Sequence, residues 1–400
     1  MGGKLAVFGG KPVRHSFLPY GSQWISKEDK EAVERVLSSP YLTTGPAVAS
    51  FERKTAAYTG AAYAVSFSSG TAALHAACFT AGIGKGDEVI TSPLTFAASA
   101  NCVLYCGGTP VFADVDPRTY LITPESIEAA VTERTKAVIP VDFTGQPADY
   151  EAIRKVADKY NLLIIEDAAH ALGASYRAQK VGALSDMTMF SFHPVKPVTT
   201  GEGGIITTND ENWYKTLLQF RTHGITKHAA DFIQERAPWE YEMQFLGFNY
   251  RMTDLQAALG ESQLDRLDTF TSMREAYADY YNNAFRTVKG VTIPYQEQGR
   301  RSSWHLYILK LDEEMIDRRK EIFEALTAEN IGVNVHYMPV YEQPYYQKNG
   351  FDQVSCPTAE KLYQQFLTLP LFPAMGQQDL DDVIEAVRKV LDYYRDGAGS

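Results

Sequence analysis

The run Ser191-Phe192-His193-Pro194-Val195-Lys196-Pro197-Val198-Thr199-Thr200-Gly201-Glu202-Gly203-Gly204 decides how this chain is read. Upstream of its lysine, the apolar run Leu162-Leu163-Ile164-Ile165 ends in Glu166-Asp167-Ala168-Ala169-His170. An unbroken apolar run without alternation suits a strand buried on both faces of a parallel sheet. An acid at its carboxyl end stands where such sheets place ligand groups.

The same rhythm extends outward in both directions. Ala64-Val65-Ser66-Phe67 leads through Ser68-Ser69-Gly70-Thr71 into an Ala-rich helix, and Val89-Ile90-Thr91 precedes a helix starting near Thr95. Residues 110–113 and 137–141 read as strands, 150–160 as a helix, and 187–192 and 205–208 as further strands. Strands alternating with helices predict an α/β fold with a mostly parallel sheet covered on both faces. A lead-in comes first. Ser26 is its N-cap candidate, with Asp29 completing a capping box for a helix over 27–37. The loop Ser39-Pro40-Tyr41-Leu42-Thr43-Thr44-Gly45-Pro46 follows, then a helix over 51–58. Beyond Gly204 the pattern changes. Residues 225–245 are polar and irregular, a candidate mobile flap. Residues 252–267 and those after 273 read as long helices, 304–311 as an exposed edge strand, 333–336 as a strand, and 379–394 as a closing helix. This predicts a large unit over 1–260, lead-in included, and a smaller α+β unit over 261–400.

A chain of 400 residues, 45% hydrophobic, can bury a core of that size. Its net charge of -11, without a long basic block, argues against nucleic acid or an anionic membrane as partner. No signal-peptide core or membrane-spanning run is found, so a cytoplasmic protein is expected. Cys78, Cys102, Cys106 and Cys356 lack metal-like spacing and read as buried reduced thiols; no metal is expected.

The chemistry concentrates in few residues. Lys196 can form an imine and Asp167 can hold a ring nitrogen protonated, the pair that pyridoxal phosphate (PLP) needs. Alone, Asp167 also reads as a helix cap or surface ion pair. Ser69-Gly70-Thr71 between strand and helix suits a phosphate, through exposed amides, hydroxyls and a glycine permitting close approach; it suits an ordinary N-cap equally. Ser191 can add another hydroxyl. Phe96 can stack on a ring or pack in a core, and His170 can touch the cofactor or be a satisfied structural histidine. Neither a Walker lysine nor a Gly-x-Gly-x-x-Gly pattern follows the first strand, which disfavours ATP and dinucleotides.

Taken together, Leu42-Thr43-Thr44-Gly45-Pro46, Ser69-Gly70-Thr71-Ala72-Ala73-Leu74, Glu166-Asp167-Ala168-Ala169-His170-Ala171, the Ser191–Gly204 run and Gly247-Phe248-Asn249-Tyr250-Arg251-Met252 resemble the DegT/DnrJ/EryC1/StrS family of PLP-dependent sugar aminotransferases. The resemblance spans nearly the whole chain. It implies the type I aminotransferase fold and a homodimer with shared active sites. It makes Lys196 the cofactor-capturing lysine, Asp167 the ring-nitrogen partner and Phe96 the stacking residue. Ser69, Gly70, Thr71 and Ser191 go to the phosphate, and Asn249 to the neighbouring subunit's cofactor phosphate, with Arg251 close by. Tyr20, Tyr41, Leu42, Thr43, Thr44, His336, Tyr337, Met338 and Pro339 would line a sugar-nucleotide pocket. Within the family, the Ser191–Pro197 run, Phe220-Arg221-Thr222-His223-Gly224-Ile225 and Val335-His336-Tyr337-Met338-Pro339-Val340-Tyr341 look most like the pseudaminic acid branch. That branch moves an amino group from L-glutamate, leaving 2-oxoglutarate, to C4 of a UDP-linked 4-keto-6-deoxy-2-acetamido sugar. Rival readings are another keto sugar, a dehydratase of the same fold (disfavoured because those carry histidine where Lys196 stands) and a binding or regulatory protein that keeps the fold without the chemistry.

Overall fold

A computed structural model describes residues 4–234 and 237–395. Seven strands form its main sheet: β1 Tyr63–Phe67, β2 Glu88–Thr91, β3 Thr109–Phe112, β4 Thr135–Ile139, β5 Leu163–Asp167, β6 Met187–Ser191 and β7 Gly204–Thr208. They lie side by side in the order β1-β7-β6-β5-β4-β2-β3. Only β7 runs antiparallel to its neighbours. Both faces are covered, as the apolar runs predict. Ala137, Ile139 and Ile165 join one buried cluster while Val138 and Ile164 join another, the period-two alternation of a doubly covered sheet.

Local signals set the helices around it. α1 (Lys27–Leu37) starts at the expected Ser26/Asp29 capping box, and α2 (Pro46–Thr59) begins at a proline, earlier than 51. α3 (Gly70–Thr80) is buried along most of its length, while α4 (Ala98–Tyr105) starts after Thr95 and Phe96 rather than at them. α5 (Tyr150–Tyr160) packs Ile153, Val156 and Ala157 against the sheet from the other side. The stretch expected as one helix over 252–267 is α6 (Asp254–Leu264), capped by Thr253; it breaks at Asp265 and Arg266 before α7 (Leu267–Phe285).

The C-terminal part differs most from expectation. The strand expected over 304–311 as an exposed edge is β9 (Tyr307–Leu311), central between β8 (Val291–Thr292) and β10 (Phe366–Leu369). It is buried on both sides. Tyr307, Leu309 and Leu311 face one cluster, and Leu306 and Ile308 meet Phe112 and Val340 in another. Residues 333–336 form no strand; Asn334 makes only an isolated bridge to Thr368. The helices α8 (Arg319–Ala328) and α9 (Pro357–Gln365) escaped the sequence reading, and α10 (Gln377–Arg395) closes the chain. The lead-in returns to this region: Leu5 and Leu18 belong to the cluster formed with α7, α8 and α10. The fully buried Glu329 carboxylate accepts from the Ala6 and Val13 amides at 2.9 and 2.8 Å and pairs with Lys389 at 2.8 Å.

In the expected flap, Ile225–Thr226 pairs with Glu242–Met243. Ile233, Trp239 and Leu246 around that pair are largely exposed, so this stretch is less polar than its composition suggests. No helix among the described residues is long and apolar enough to cross a membrane.

Candidate active site

β5 carries Asp167 to its last position, and the backbone there is fixed on both sides. The Asp167 amide donates to Pro140 O, and its carbonyl accepts from the Asp142 amide. The side chain is almost fully buried. Its Oδ2 accepts from Ser99 Oγ at 2.6 Å and its Oδ1 from the Ala169 amide at 3.1 Å; Thr95 Oγ1 lies 2.7 Å from the same serine oxygen. Both donors are neutral. Burial pushes this carboxyl above the ordinary range, against those hydrogen bonds and the charge of Lys196. A buried carboxylate with only neutral donors on it suits an incoming cationic N–H, which would supply the missing opposite charge.

Lys196 follows β6 on a turn closed by its own amide to His193 O at 2.9 Å. It faces the same cavity of about 850 Å³. Burial lowers its pKa to about 8, outweighing the pull of Asp167. An amine so placed is a base and nucleophile near neutral pH.

The phosphate candidates meet at the start of α3. Ser69 caps it, accepting from the Ala72 amide, and Thr71 lies in its first turn. Two glycines sit in close quarters, Gly204 with no room for a side chain. A Cβ on Gly70 would lie 3.2 Å from Ser191 Cβ, and one on Gly204 would strike Ser69 O at 2.5 Å. Gly204 therefore opens β7 at a point where the strand must pass against the α3 cap. Together Ser69, Gly70, Thr71 and Ser191 form an open cradle at a helix N-terminus, suited to a phosphate dianion.

The walls of the cavity hold most remaining candidates. Tyr20, Phe96, His170, His336, Tyr337 and Met338 all line it. Phe96 is 62% exposed, so a planar ligand has a free aromatic face to lie against. His336 is anchored through Nδ1 to Thr368 Oγ1 at 2.9 Å, and burial, with Lys196 nearby, lowers it to about 3. Pro339 lies just outside the lining. Tyr41, Leu42, Thr43, Thr44, Asn249 and Arg251 are not part of this cavity. Tyr41 borders a separate hollow of about 500 Å³ between α1, α2 and α6 that contains neither the lysine nor its acid. The loop carrying Tyr41 to Thr44 is held to the start of α6, while Asn249 bridges to Thr222. Thr43 bridges to Thr253, and the buried Asp254 carboxylate accepts from the Gly45 and Ala47 amides at 2.7 and 2.9 Å. The sequence reading missed Thr95, Ser99, Glu202, His305 and Gln343. Thr95 and Ser99 carried a signal, a spacing of four across the start of α4, and Glu202 stood in the quoted run itself; His305 and Gln343 arrive from distant segments.

Behind Asp167 lies a second acid pair. Asp142 and Glu166 are fully buried side by side, and neither Asp142 Oδ2 nor Glu166 Oε1 has a hydrogen-bond partner. Two buried carboxyls facing each other without a donor call for one shared proton between them. Burial, then the facing carboxyl, pushes Asp142 well above the ordinary range, and burial raises Glu166. In the unfolded chain both lose their protons near pH ~4. The folded state thus keeps a proton that the unfolded state gives up, so stability falls as pH rises above that point. Glu166→Gln donates an amide hydrogen in place of the proton. We expect it to melt at least about 2 °C above wild type at pH 8 and level with it at pH 4.5. A shift equal at both pH values would refute the shared proton.

Strand-end acid, buried amine and phosphate cradle around one cavity define a PLP enzyme of the aminotransferase fold. The chain belongs to the DegT/DnrJ/EryC1/StrS aminotransferase family, whose model matches residues 23–388. It is 45% identical over 381 residues to the spore coat polysaccharide biosynthesis protein SpsC of Bacillus subtilis, covering 94% of this chain and 98% of that one. Among solved structures it is similar to Helicobacter pylori PseC, an aminotransferase involved in the biosynthesis of pseudoaminic acid. The TM-score is 0.88 at 32% identity, covering 94% of this chain and 99% of that one. The sugar aminotransferase Spr1654 of Streptococcus pneumoniae in its PLP form gives a TM-score of 0.87 at 31% identity, over 94% and 99% of the two chains.

Proposed function

We propose that this enzyme moves an amino group from L-glutamate to C4 of a UDP-linked 4-keto-6-deoxy-2-acetamido sugar, supplying pseudaminic acid synthesis. The observation that carries the reading is the position of residues 335–338. The run likened to the pseudaminic branch lines the same cavity as Lys196. The likeness to PseC supports the same choice. PLP, when bound, supplies an electron sink for the carbanion formed in amino transfer. The chain's own groups do the rest. Lys196 Nζ takes the Cα proton of the amino donor and, in the second half, delivers a proton to C4 of the sugar. Asp167 would hold a positive charge on the ring nitrogen, and Phe96 offers a face for the ring. Among the described residues of one chain the cavity is lined by no arginine and by no lysine except Lys196. The negative charge of the substrates therefore calls for Arg251 of a second copy, whose Asn249 would reach the cofactor phosphate, and we take the working unit to be a cytoplasmic homodimer. We place the division between the large and small units near residue 260.

A second reading has its own observation. Identity to SpsC, at 45%, exceeds the 32% to PseC, which favours a nucleotide sugar destined for a surface polysaccharide. One experiment separates them: mass spectrometry of products from a panel of nucleotide-linked 4-keto sugars with glutamate. Conversion of the UDP-linked 2-acetamido substrate with a gain of one amino group is expected. Conversion of a different nucleotide sugar alone would replace the first reading by the second.

A further inference from the structure

His170 borders the lysine and the acid, yet no hydrogen bond fixes the plane of its ring. Its Nδ1 is buried without a partner. Histidines at reactive sites are ordinarily oriented by a bond at the nitrogen turned away from the chemistry. Here ring contacts must do that work, and they are unequal. His305 lies 4.4 Å away at a tilt of 49°, whereas Phe143 and Tyr337 stand at 6.0 and 6.4 Å. His305 is itself buried, borders the cavity, and comes from the segment leading into β9, on the far side of the sequence.

That segment is tied down twice. Ser303 Oγ donates to the carbonyl of His170, joining the two backbones. The carbonyls of Trp304 and His305 accept from Arg274 Nη1 at 3.2 and 3.3 Å, and the same nitrogen donates to Leu371 O at 2.6 Å. Arg274 is buried in α7, with carbonyls as its hydrogen-bond acceptors. The Leu371 amide in turn donates to Tyr20 O, so one guanidinium holds both the His305 segment and a cavity-lining tyrosine. Burial, then the neighbouring positive groups, pushes both histidines well below their ordinary range, which leaves two neutral rings in contact.

We propose that His305 is a positioning residue that fixes the plane of the His170 ring against the cofactor through ring contact. The proposal rests on PLP binding and not on which sugar is aminated, so the product panel can fail while this stands.

The test measures the PLP dissociation constant of the apoprotein and the visible spectrum of the bound cofactor in a double-mutant cycle. His305→Leu fills the space without a ring. It should weaken PLP binding about tenfold, a typical size for coupled contacts, and move the absorbance maximum. His170→Gln and the double variant should bind PLP equally weakly, because His305 acts only through His170. His305→Phe, which keeps a ring, should restore affinity to within about twofold of wild type. Additive losses in the cycle would overturn the proposal. So would His305→Phe as weak as His305→Leu, or a His305→Leu protein with a lowered melting point but unchanged affinity and spectrum.

Discussion

Replacing Lys196 by alanine is expected to lower turnover by at least about 10⁴-fold, the upper range for loss of a general acid–base group. The protein should still fold. Lys196 lines a cavity, and its secondary structure depends on a backbone turn that alanine can keep. Two roles disappear together, capture of the cofactor aldehyde and proton transfer at the reacting carbon. Mixing apoprotein with PLP should therefore give a visible band in wild type and none in the variant. A Lys196→Ala protein that keeps both colour and activity would end the reading. The capture rate also has a set pH dependence. Only the neutral amine attacks an aldehyde, and burial brings this amine to about 8. The rate should climb tenfold per pH unit below that value and flatten above it. A rise continuing unbroken to pH 10 would show an ordinary solvated lysine.

Asp167→Asn is the second large effect, a fall of about 10²–10³ in kcat, as when one preorganised electrostatic group is removed. The amide is nearly isosteric and can still accept from Ala169, so geometry is spared and charge is not. An anion close to a basic nitrogen raises its pKa by about 1–3 units. Without it the cofactor ring loses its proton at neutral pH and drains less charge from the reacting carbon. Single-turnover rates with glutamate should drop while PLP remains bound. If the half-reaction runs at the wild-type rate, Asp167 is not the ring partner.

Much of this site could be read from residues alone because its chemistry is local. The β5 run ends in its acid, α3 begins with its cap, and Lys196 sits in a run dense with glycine and proline. Those signals depend on neighbours within a few positions. What escaped depends on folding. Ser99 needed the approach of α4 to Asp167 before its hydroxyl had a meaning. His305 reaches His170 across 135 positions, and no periodicity records such a meeting. The error at β9 has the same root. Its alternation looked like that of a half-exposed strand, but α7 and α10 cover one face while Phe112 and Val340 close the other. A pattern of apolar residues tells which side is apolar, not how many sides will be covered.

The clasp at Glu329 sets an order on the making of the protein. Ribosomes release the amino terminus first, yet the Ala6 and Val13 amides find their acceptor only once residue 329 emerges, and Lys389 locks it later still. Residues 6–13 thus leave the exit tunnel more than three hundred residues before their acceptor. Until it follows they remain a tether, open to chaperones and proteases.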